Sequence, residues 1–505
     1  MVERKAVKDR MKVLLVYCNS MLENALPVGL SQLSACLKEA GIEVKLFDTT
    51  FYQYGPKSDM ENRIEALQFP PCPLNFNKGN MAEDFKAAID GFQPNLIGLS
   101  VVEPTFLLGM KLLESARSVI KNKKIPVALG GVHVILAPET VLKYDLVDYI
   151  CISEGEVAFI DLCRKIDKGE PTEQTIGFWV RKGNEWVKNK KASLVDINNL
   201  PILDFAIYPD TYLNKPMMGK LYRTISIDTT RGCPYSCTYC GDKALRDLFR
   251  EQGLWYRQKK LEKVGEELKE YMALYSPEFV YIMSESFLSG SAQRVQRFVE
   301  MYKPYSLPFW FNTRPEDITE EKIRLVKSIG CKRISIGLEH GNEKFRKTFL
   351  RRNYSNDDFR RVCGMLKENQ ISFSVNVIIG FPYETREMVF DAINLLREVR
   401  PDGISTHIYS PYHGSEVRQI CESKGMISPD LIAEDFFQKD YCLKNPTISK
   451  AEILGLFRTI PLYIEMGKEA YPRIRKAEKE DFEGNKIFGE LKKVFYELKG
   501  WKEIA

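Results

Sequence analysis

The chain has 505 residues, of which 44% are hydrophobic and 28% are charged, as in an ordinary globular protein. This length exceeds what one hydrophobic core supports, so we expect about three domains. The net charge of +5 is far from the strongly basic balance of a nucleic-acid-binding protein. Residues 1–12 lack the apolar stretch of a signal peptide, and no window approaches the roughly 20 apolar residues of a membrane span. These features predict a cytoplasmic protein that binds no nucleic acid and spans no membrane.

Residues 1–165 alternate strand and helix signals, which is typical of a doubly wound α/β domain. Between the first two strands, Leu26, Leu30, Leu33 and Leu37 recur at helical spacing, and Gly41 gives a stop signal. Apolar runs predict strands at 13–17, 44–47, 96–102, 126–129 and 149–152. The fold class predicted for this part is therefore α/β with a Rossmann-like parallel sheet.

The carboxyl ends of these strands carry small, acidic and imidazole side chains. Ligands of open α/β sheets bind at that edge, and glycine lets a large ligand approach the backbone. The candidate ligand-binding residues at this edge are Ser100, Val101, Glu103, Gly130, Gly131, His133, Glu154, Gly155 and Glu156. The first strand is not followed by the G-x-G-x-x-G loop of a dinucleotide site, which argues against NAD.

Residues 166–220 are predicted to be a connector. Possible strands at 175–180 and 185–187 flank Lys182-Gly183-Asn184, which is a hairpin signal. The sequence therefore predicts domain boundaries near residues 165 and 220.

Three cysteines follow a predicted strand at 224–228 in a C-x3-C-x2-C spacing, namely Cys233, Cys237 and Cys240. Three thiolates from one loop can hold three irons of a 4Fe–4S cube, and without a fourth cysteine one iron stays open for a ligand. A structural zinc site would need a second knuckle, and the sequence has none. A disulfide would need an oxidising compartment, which nothing in the sequence suggests. The other nine cysteines are scattered singly, and we predict that they are small apolar core residues.

This spacing, with Tyr239 just before the last cysteine, resembles the signature of the radical S-adenosylmethionine superfamily. The resemblance implies that the open iron binds the amino and carboxylate groups of S-adenosylmethionine. It also implies that one electron from the cluster breaks a sulfonium C–S bond and releases a 5′-deoxyadenosyl radical. Further implications are a partial (β/α)6 barrel over residues 221–425 and an electron donor such as flavodoxin or ferredoxin.

The ends of further predicted strands, at 279–283, 309–311, 334–338 and 375–379, resemble the turns at which this superfamily binds S-adenosylmethionine. Carboxylates suit the amine or the ribose diol of that molecule, and an arginine suits its carboxylate by bidentate pairing. The alternative for each charged residue is a surface ion pair or a helix cap. The candidate binding residues that the resemblance implies are Tyr239, Glu285, Arg314, Glu339, Gly380 and Pro382.

Four segments in order ahead of the cysteine loop resemble the cobalamin-binding domain found upstream of many radical S-adenosylmethionine enzymes. They are Ala25-Leu26-Pro27-Val28-Gly29-Leu30, Pro94-Asn95-Leu96-Ile97-Gly98, Gly130-Gly131-Val132-His133 and Glu154-Gly155-Glu156. The resemblance implies that the strand-end residues named above bind cobalamin. Many cobalamin carriers ligate cobalt through a histidine in a D-x-H-x-x-G loop, whereas residues 18–24 contain no histidine. We therefore expect base-off cobalamin with no protein histidine on its lower face, and His133 not bound to cobalt.

Residues 426–505 are rich in lysine and glutamate and are predicted to be helical. Pro461 is expected to kink or split one of these helices. A stripe of apolar residues near the C-terminus is predicted to be core packing, and it consists of Phe488, Leu491, Val494, Phe495 and Leu498.

These resemblances together imply a cobalamin-dependent radical S-adenosylmethionine enzyme with a 4Fe–4S cluster. The expected activity is methylation of an unactivated carbon, or less often phosphorus, of a small-molecule substrate. The first alternative keeps both cofactors but gives a cyclisation or rearrangement without methyl transfer. A minor alternative is a tRNA methylthiotransferase, which would carry a second cluster in its N-terminal domain and a basic RNA-binding barrel at its C-terminus. The sequence identifies neither the substrate nor a catalytic side chain.

Overall fold

The computed structural model describes residues 10–23, 25–72, 74–217, 220–434 and 441–502. Residues 1–9 and the loop residue Asn24, which entered the sequence analysis, lie outside the described residues. The chain divides into two compact units that do not follow chain order. The first comprises Met1–Tyr54, Phe76–Tyr212 and Asp247–Leu254, and the second comprises Gly55–Asn75, Leu213–Arg246 and Trp255–Ala505. The four-part domain division expected from the sequence stays a prediction.

The strands predicted for the two sheets are present, although several ends differ by a few residues. The strands are β1 (Lys12–Tyr17), β2 (Glu43–Asp48), β3 (Leu96–Ser100), β4 (Val127–Gly130), β5 (Tyr149–Cys151), β6 (Phe178–Lys182), β7 (Glu185–Lys188), β8 (Asn214–Met217), β9 (Lys220–Asp228), β10 (Thr230–Arg231), β11 (Arg257–Gln258), β12 (Phe279–Met283), β13 (Phe309–Thr313), β14 (Cys331–Glu339), β15 (Ser372–Ile379) and β16 (Gly403–Ile408).

The helices connect these strands and fill the C-terminal region. They are α1 (Val28–Glu39), α2 (Asp59–Glu65), α3 (Met81–Phe92), α4 (Glu103–Ser115), α5 (Arg117–Lys123), α6 (Val132–Leu136), α7 (Gly155–Lys168), α8 (Asp242–Leu248), α9 (Leu261–Tyr275), α10 (Ala292–Tyr302), α11 (Glu320–Ser328), α12 (Glu343–Thr348), α13 (Asn356–Glu368), α14 (Arg386–Val399), α15 (Glu416–Ser423), α16 (Lys450–Glu465), α17 (Tyr471–Ala477) and α18 (Phe482–Lys499).

The first unit is built on one sheet with the strand order β2-β1-β3-β4-β5-β6-β7. Strands β1 to β5 pair in parallel, and the chain leaves β1 in one direction to β2 and in the other to β3. This reversal is the topological switch point at which open α/β sheets bind ligands. Helices pack closely on the sheet, since a Cβ added at Gly98 would lie 2.8 Å from the ring of Phe159. The predicted doubly wound, Rossmann-like fold is confirmed.

The predicted hairpin is present as β6 and β7, but it belongs to the first sheet. Strand β6 pairs antiparallel with β5, and β7 pairs antiparallel with β6. The apolar side chains of Phe178 and Val180 are buried, and this burial explains why the hairpin adds to the sheet edge.

The second unit contains a sheet of order β16-β15-β14-β13-β12-β9-β8. Its first six strands are parallel, and β8 is antiparallel to β9. Sequential order with a helix after each strand is the arrangement of a curled half barrel, so the predicted partial (β/α)6 barrel is confirmed. Strand β15 illustrates the two faces, since Phe373, Val375 and Val377 are almost fully buried while Asn376 between them is half-buried.

The edge strand β16 is capped by a side chain from far earlier in the chain. The Nε2 atom of Gln68 donates to the carbonyl oxygen of Thr406 at 3.1 Å, and its Oε1 atom accepts from the backbone N–H of Thr406 at 3.1 Å. These two hydrogen bonds resemble those that a neighbouring strand would make. They satisfy the backbone N–H and carbonyl groups of Thr406 on the open edge of the sheet. Residues 55–75 therefore belong structurally to the half barrel.

The C-terminal region is helical, as predicted, but the helix is not split at Pro461 and the apolar stripe is only partly buried. Helix α16 runs unbroken through Pro461, which is buried within it, so packing outweighs the loss of one backbone hydrogen bond. In α18, Leu491 and Phe495 are buried whereas Val494 and Leu498 are 46% and 60% exposed. Only part of the predicted apolar stripe, namely Leu491 and Phe495, is therefore packed in the core. In the described part of the chain, the helices are too short or too polar to cross a membrane.

A pair of glycine substitutions tests the packing of the second unit. A Cβ at Gly341 would lie 2.1 Å from the backbone nitrogen of Ala392, whereas nothing lies within 4 Å of a Cβ at Gly364. We expect Gly341→Ala to lower the free energy of unfolding by about 1–3 kcal/mol or more, because the backbone must move. Gly364→Ala, inside α13, is expected to raise it by up to about 1 kcal/mol. Urea unfolding followed by circular dichroism measures both changes. Equal free energies of unfolding for the two variants would contradict the close packing at Gly341.

Candidate active site

The loop that carries the three cysteines is fastened by a buried ion cluster where it leaves β9. The Nζ atom of Lys259 lies 2.8 Å from Oδ1 of Asp228 and 2.9 Å from Oε2 of Glu267, and all three residues are almost fully buried. The backbone N–H of Lys259 also donates to the carbonyl oxygen of Thr229 at 3.0 Å. Next to it, β10 pairs antiparallel with β11. The first residues of the loop are therefore held from two sides.

The turn into the first cysteine is held by a tryptophan. Gly232 has a φ of +77°, and a Cβ there would lie 2.7 Å from the ring and backbone of Trp255. Only glycine combines this backbone conformation with so close a contact. The Trp255 ring nitrogen donates to Oδ1 of Asp242 at 2.8 Å, just after the third cysteine. Arg246 donates to the carbonyl oxygens of Pro234 and Tyr235 at 3.0 and 3.2 Å.

The three thiols fit an iron–sulfur cluster better than a single metal ion. Cys237 is buried, whereas Cys233 and Cys240 are half-buried. Among the described residues, these three sulfurs are not found together as a compact set of ligands for one metal ion. Burial raises the pKa of the Cys233 thiol to about 12, so iron must displace its proton when it binds. Three sulfur donors on a fixed loop suit a cube with one open iron.

Arg314 follows β13 and faces the middle cysteine. Its Nη1 atom donates to Sγ of Cys237 at 3.1 Å, and its guanidinium lies 3.7 Å from the ring centroid of Tyr235. Its Nε and Nη2 atoms both donate to the carboxylate of Glu316. The hydroxyl of Tyr235 donates to the carboxylate of Asp317. The predicted residue Arg314 is thus beside the cluster loop, with most of its donors already engaged.

Glu339 and Tyr239, both predicted to bind S-adenosylmethionine, meet at a third side chain. Nη1 of Arg352 lies 3.2 Å from the Tyr239 hydroxyl and 3.4 Å from Oε1 of Glu339. Glu339 has a φ of +65° and follows a register shift at the end of β14, an unfavourable backbone for a residue other than glycine. Burial raises the pKa of the Glu339 carboxyl, and Arg352 opposes that shift.

The predicted turn with Gly380 and Pro382 is held from the C-terminal region. The hydroxyl of Tyr441 donates to the carbonyl oxygen of Gly380 at 2.8 Å, and Nδ2 of Asn445 donates to that of Phe381 at 2.8 Å. Gly380 has a φ of +89°, and a Cβ there would lie 2.8 Å from the Tyr441 ring. Pro382 is buried. The remaining predicted residue, Glu285, is exposed after the end of β12.

One face of the barrel sheet carries two groups of hydrogen-bonded polar side chains. Nδ2 of Asn312 donates to the Tyr281 hydroxyl at 2.8 Å, and Tyr281 stacks on Trp310 with ring centroids 4.0 Å apart. Farther along, Nδ2 of Asn376 lies 3.4 Å from Oγ of Ser335. In a closed α/β barrel this interior is filled by bulky aliphatic residues. Polar residues here indicate a wall that faces a ligand.

The first unit has a tightly packed glycine turn at the carboxyl end of its sheet. Gly131 has a φ of +108°, and a Cβ there would lie 2.2 Å from the carbonyl oxygen of Val101. At the same edge, Val102 and Val132 are 48% and 45% exposed although they are apolar. These exposed apolar side chains suit a large, partly apolar ligand such as a corrin ring.

Of the other predicted cobalamin residues, two acidic ones face inward. Oε2 of Glu154 accepts from the backbone N–H of Val195 at 3.0 Å, and Glu156 is buried. Ser100 and Gly130 end β3 and β4, and Gly155 begins α7. The structure brings these residues to one edge, but their contacts with cobalamin stay predictions.

His133 lies inside the first unit. It is 1% exposed, with Nε2 at 3.1 Å from Oγ1 of Thr140 and Nδ1 at 3.6 Å from Oε2 of Glu103. Its ring also lies against Phe106, with centroids 4.7 Å apart. This environment agrees with the expectation that His133 is not a cobalt ligand, which stays a prediction.

Sequence reasoning missed five side chains that organise these sites. Arg246, Trp255 and Arg352 hold the cysteine loop and its neighbours, and Tyr441 and Asn445 hold the Gly380 turn. No motif marks them, because each acts across a large separation in sequence. The one available signal was the isolated tryptophan in the charged segment after the cysteines.

Two family models match the chain. The B12 binding domain matches residues 15–162, and the radical SAM superfamily matches residues 227–396. The chain is therefore a radical S-adenosylmethionine enzyme with an N-terminal B12-binding domain. These domains imply a 4Fe–4S cluster, S-adenosylmethionine and cobalamin as its cofactors.

The relatives include different chemistries. An uncharacterized methyltransferase of Pyrococcus horikoshii is 22% identical over 66% of this chain and 71% of that protein. An anaerobic magnesium-protoporphyrin IX monomethyl ester cyclase of Rubrivivax gelatinosus is 22% identical over 67% of this chain and 61% of that protein. Both alignments cover part of each protein.

Solved structures share the fold. The radical S-adenosylmethionine methyltransferase TsrM of Kitasatospora setae superposes with a TM-score of 0.61 at 15% identity, covering 96% of this chain and all of that one. The cobalamin-dependent enzyme OxsB gives 0.65 at 17% identity, covering 97% and 72%.

Replacement of the middle cysteine tests the cluster assignment. We expect anaerobically reconstituted protein to bind about four irons per chain and to cleave S-adenosylmethionine when dithionite is added. Cys237→Ala should abolish the cleavage, because one iron loses its protein ligand, while the first unit still retains cobalamin. Cys363→Ala, at a buried cysteine in α13, is the control and should keep the iron. Formation of 5′-deoxyadenosine by a variant without the three loop cysteines would contradict the assignment.

Reconstitution with hydroxocobalamin tests the role of His133. We expect about one base-off cobalamin per chain and no nitrogen superhyperfine coupling from a protein histidine in its paramagnetic resonance spectrum. His133→Ala should leave this spectrum unchanged. Nitrogen coupling that disappears in the variant would identify His133 as a cobalt ligand.

Proposed function

We propose that this protein transfers a methyl group from S-adenosylmethionine, by way of cobalamin, to an unactivated carbon, or less often a phosphorus, of a small molecule. The observation that carries the proposal is the position of His133, whose ring nitrogens lie near Thr140 and Glu103 inside the first unit. This histidine is therefore engaged within the first unit, and we propose that it does not bind cobalt. Cobalamin bound at this sheet edge would supply the methyl-transfer chemistry.

When bound, the cluster supplies one electron to S-adenosylmethionine, and cobalamin carries the methyl group. The three loop cysteines would hold the cluster, and an iron without a protein ligand would accept the amine and carboxylate of S-adenosylmethionine. We assign its amine or ribose diol to Glu339, which Arg352 holds beside Tyr239. The Gly380 turn, fixed by Tyr441 and Asn445, offers backbone groups to the adenine.

The polar wall of the barrel sheet supports a particular kind of substrate. Amide and hydroxyl side chains such as Asn312, Ser335 and Asn376 offer neutral hydrogen-bond donors and acceptors. His407 on the same face is kept neutral because burial lowers its pKa to about 3. This wall favours a small molecule with hydroxyl or amide groups over a large apolar one. The proposed electron source is a soluble donor of the flavodoxin or ferredoxin type, and the proposed location is the cytoplasm.

Labelled S-adenosylmethionine tests the transfer directly. Holoenzyme is incubated with dithionite, deuteromethyl S-adenosylmethionine and a metabolite extract, and the products are examined by mass spectrometry. We expect a product that carries three deuterium atoms, because the methyl group moves intact. The Cys237→Ala protein serves as the control and should give no labelled product.

The alternative is a radical cyclisation or rearrangement, the chemistry suggested by the name of the Rubrivivax relative. This alternative predicts a different result in the experiment with deuteromethyl S-adenosylmethionine. Formation of 5′-deoxyadenosine with consumption of a metabolite, but without label in any product, would overturn methyl transfer and favour rearrangement. A failure to retain cobalamin would overturn both.

A further inference from the structure

We infer that Arg314 tunes the reduction potential of the 4Fe–4S cluster through a hydrogen bond to the sulfur of Cys237, instead of binding the carboxylate of S-adenosylmethionine. The inference depends on the cluster and not on methyl transfer. It reassigns a residue that the sequence pattern places among the binders of S-adenosylmethionine.

The position of Arg314 is fixed by neighbours on three sides. Its backbone N–H donates to Oγ of Ser286 at 3.2 Å, and its guanidinium plane lies over the Tyr235 ring at 3.7 Å. Tyr235 itself belongs to the cysteine loop, and its hydroxyl is held by Asp317. The arginine and the loop are thus built as one packed unit. Arg314 is only 7% exposed, so its charge acts without much screening by water.

The side-on pair of donors of Arg314, Nε and Nη2, is already used by a carboxylate of the protein. A guanidinium binds a carboxylate best through two parallel N–H groups. The Nε and Nη2 atoms form that fork with Glu316. The Nη1 atom is directed to Sγ of Cys237 at 3.1 Å. S-adenosylmethionine would therefore have to displace Glu316 before it could pair with Arg314 in the same way.

The contact between Arg314 and the sulfur of Cys237 is expected to affect the reduction potential of the cluster. Reduction of the cluster adds one electron, supplied by an external one-electron donor, and part of that charge resides on the sulfur ligands. A hydrogen bond and a positive charge at a ligand sulfur stabilise the reduced form and raise the potential. Glu316 opposes this effect because its carboxylate is paired with the same guanidinium. The two residues should therefore shift the potential in opposite directions when either is neutralised.

The test is a redox titration of the reconstituted holoenzyme, followed by the paramagnetic resonance signal of the reduced cluster. We expect Arg314→Gln to shift the midpoint potential to a more negative value, and Glu316→Gln to shift it to a more positive value. Arg314→Lys, which keeps the charge, should shift it less than Arg314→Gln. Arg351→Gln is the matched control, because Arg351 is exposed and pairs with Glu416, and it should leave the potential unchanged.

Iron content and binding of S-adenosylmethionine are measured on the same samples. We expect iron to stay at the level of the unsubstituted protein and the dissociation constant to change by less than about twofold, since the outer face of Arg314 is not used. An unchanged potential in Arg314→Gln with full iron content would overturn the inference. A loss of S-adenosylmethionine affinity of about tenfold or more with no change in potential would instead assign Arg314 to the carboxylate. If Arg314→Gln loses iron, the test rests on Glu316→Gln, for which we expect a more positive midpoint potential. An unchanged potential in Glu316→Gln would then overturn the inference.

Discussion

The chemistry of the second unit depends on a loop whose two ends are tied to the barrel by buried polar contacts. Lys259 has two buried carboxylate partners where the loop begins, and Trp255 and Asp242 are joined where it ends. Removal of one partner from such a buried ion cluster costs about 3–5 kcal/mol, because the remaining charge loses its compensation. These contacts therefore hold both ends of the loop in place. Iron binding is then assisted because three sulfurs are already held on one short segment.

A second layer of charge surrounds the middle cysteine. Arg314 and Arg352 are both almost fully buried, and each is compensated by a carboxylate, namely Glu316 and Glu339. Burial of two cations without partners would be prohibitive. The carboxylates therefore have a structural task as well as any task in ligand binding. Tyr239 joins the layer through Arg352, which links the cysteine loop to the end of β14.

Distant parts of the chain complete the half barrel. Gln68, which precedes the barrel by more than a hundred residues, caps the exposed edge of β16. Thr447 donates to the carbonyl oxygen of Glu384 at 2.6 Å and, with Tyr441 and Asn445, holds the turn after β15. An open barrel leaves backbone groups on its edge strands without hydrogen-bond partners and some loops without support. The contacts named here provide those hydrogen bonds, which additional strands would provide in a closed barrel.

The sequence alone determined the order of strands and helices, the ligand-bearing sheet edge and the three cysteines, because periodicity and short spacing are local properties. It also singled out Arg314, Glu339 and Gly380 as candidates, since each lies at or just after the end of an apolar strand. It wrongly expected Val494 and Leu498 to be buried, and the split allowed for at Pro461 is not present, because packing against neighbouring helices overrides local propensity. Only the tertiary structure revealed that Arg314 meets sulfur, that Arg352 joins Glu339 to Tyr239, and that His133 lies beside Glu103 and Thr140. Such pairings depend on the distance between side chains and on their burial in the folded chain, which no sequence spacing encodes.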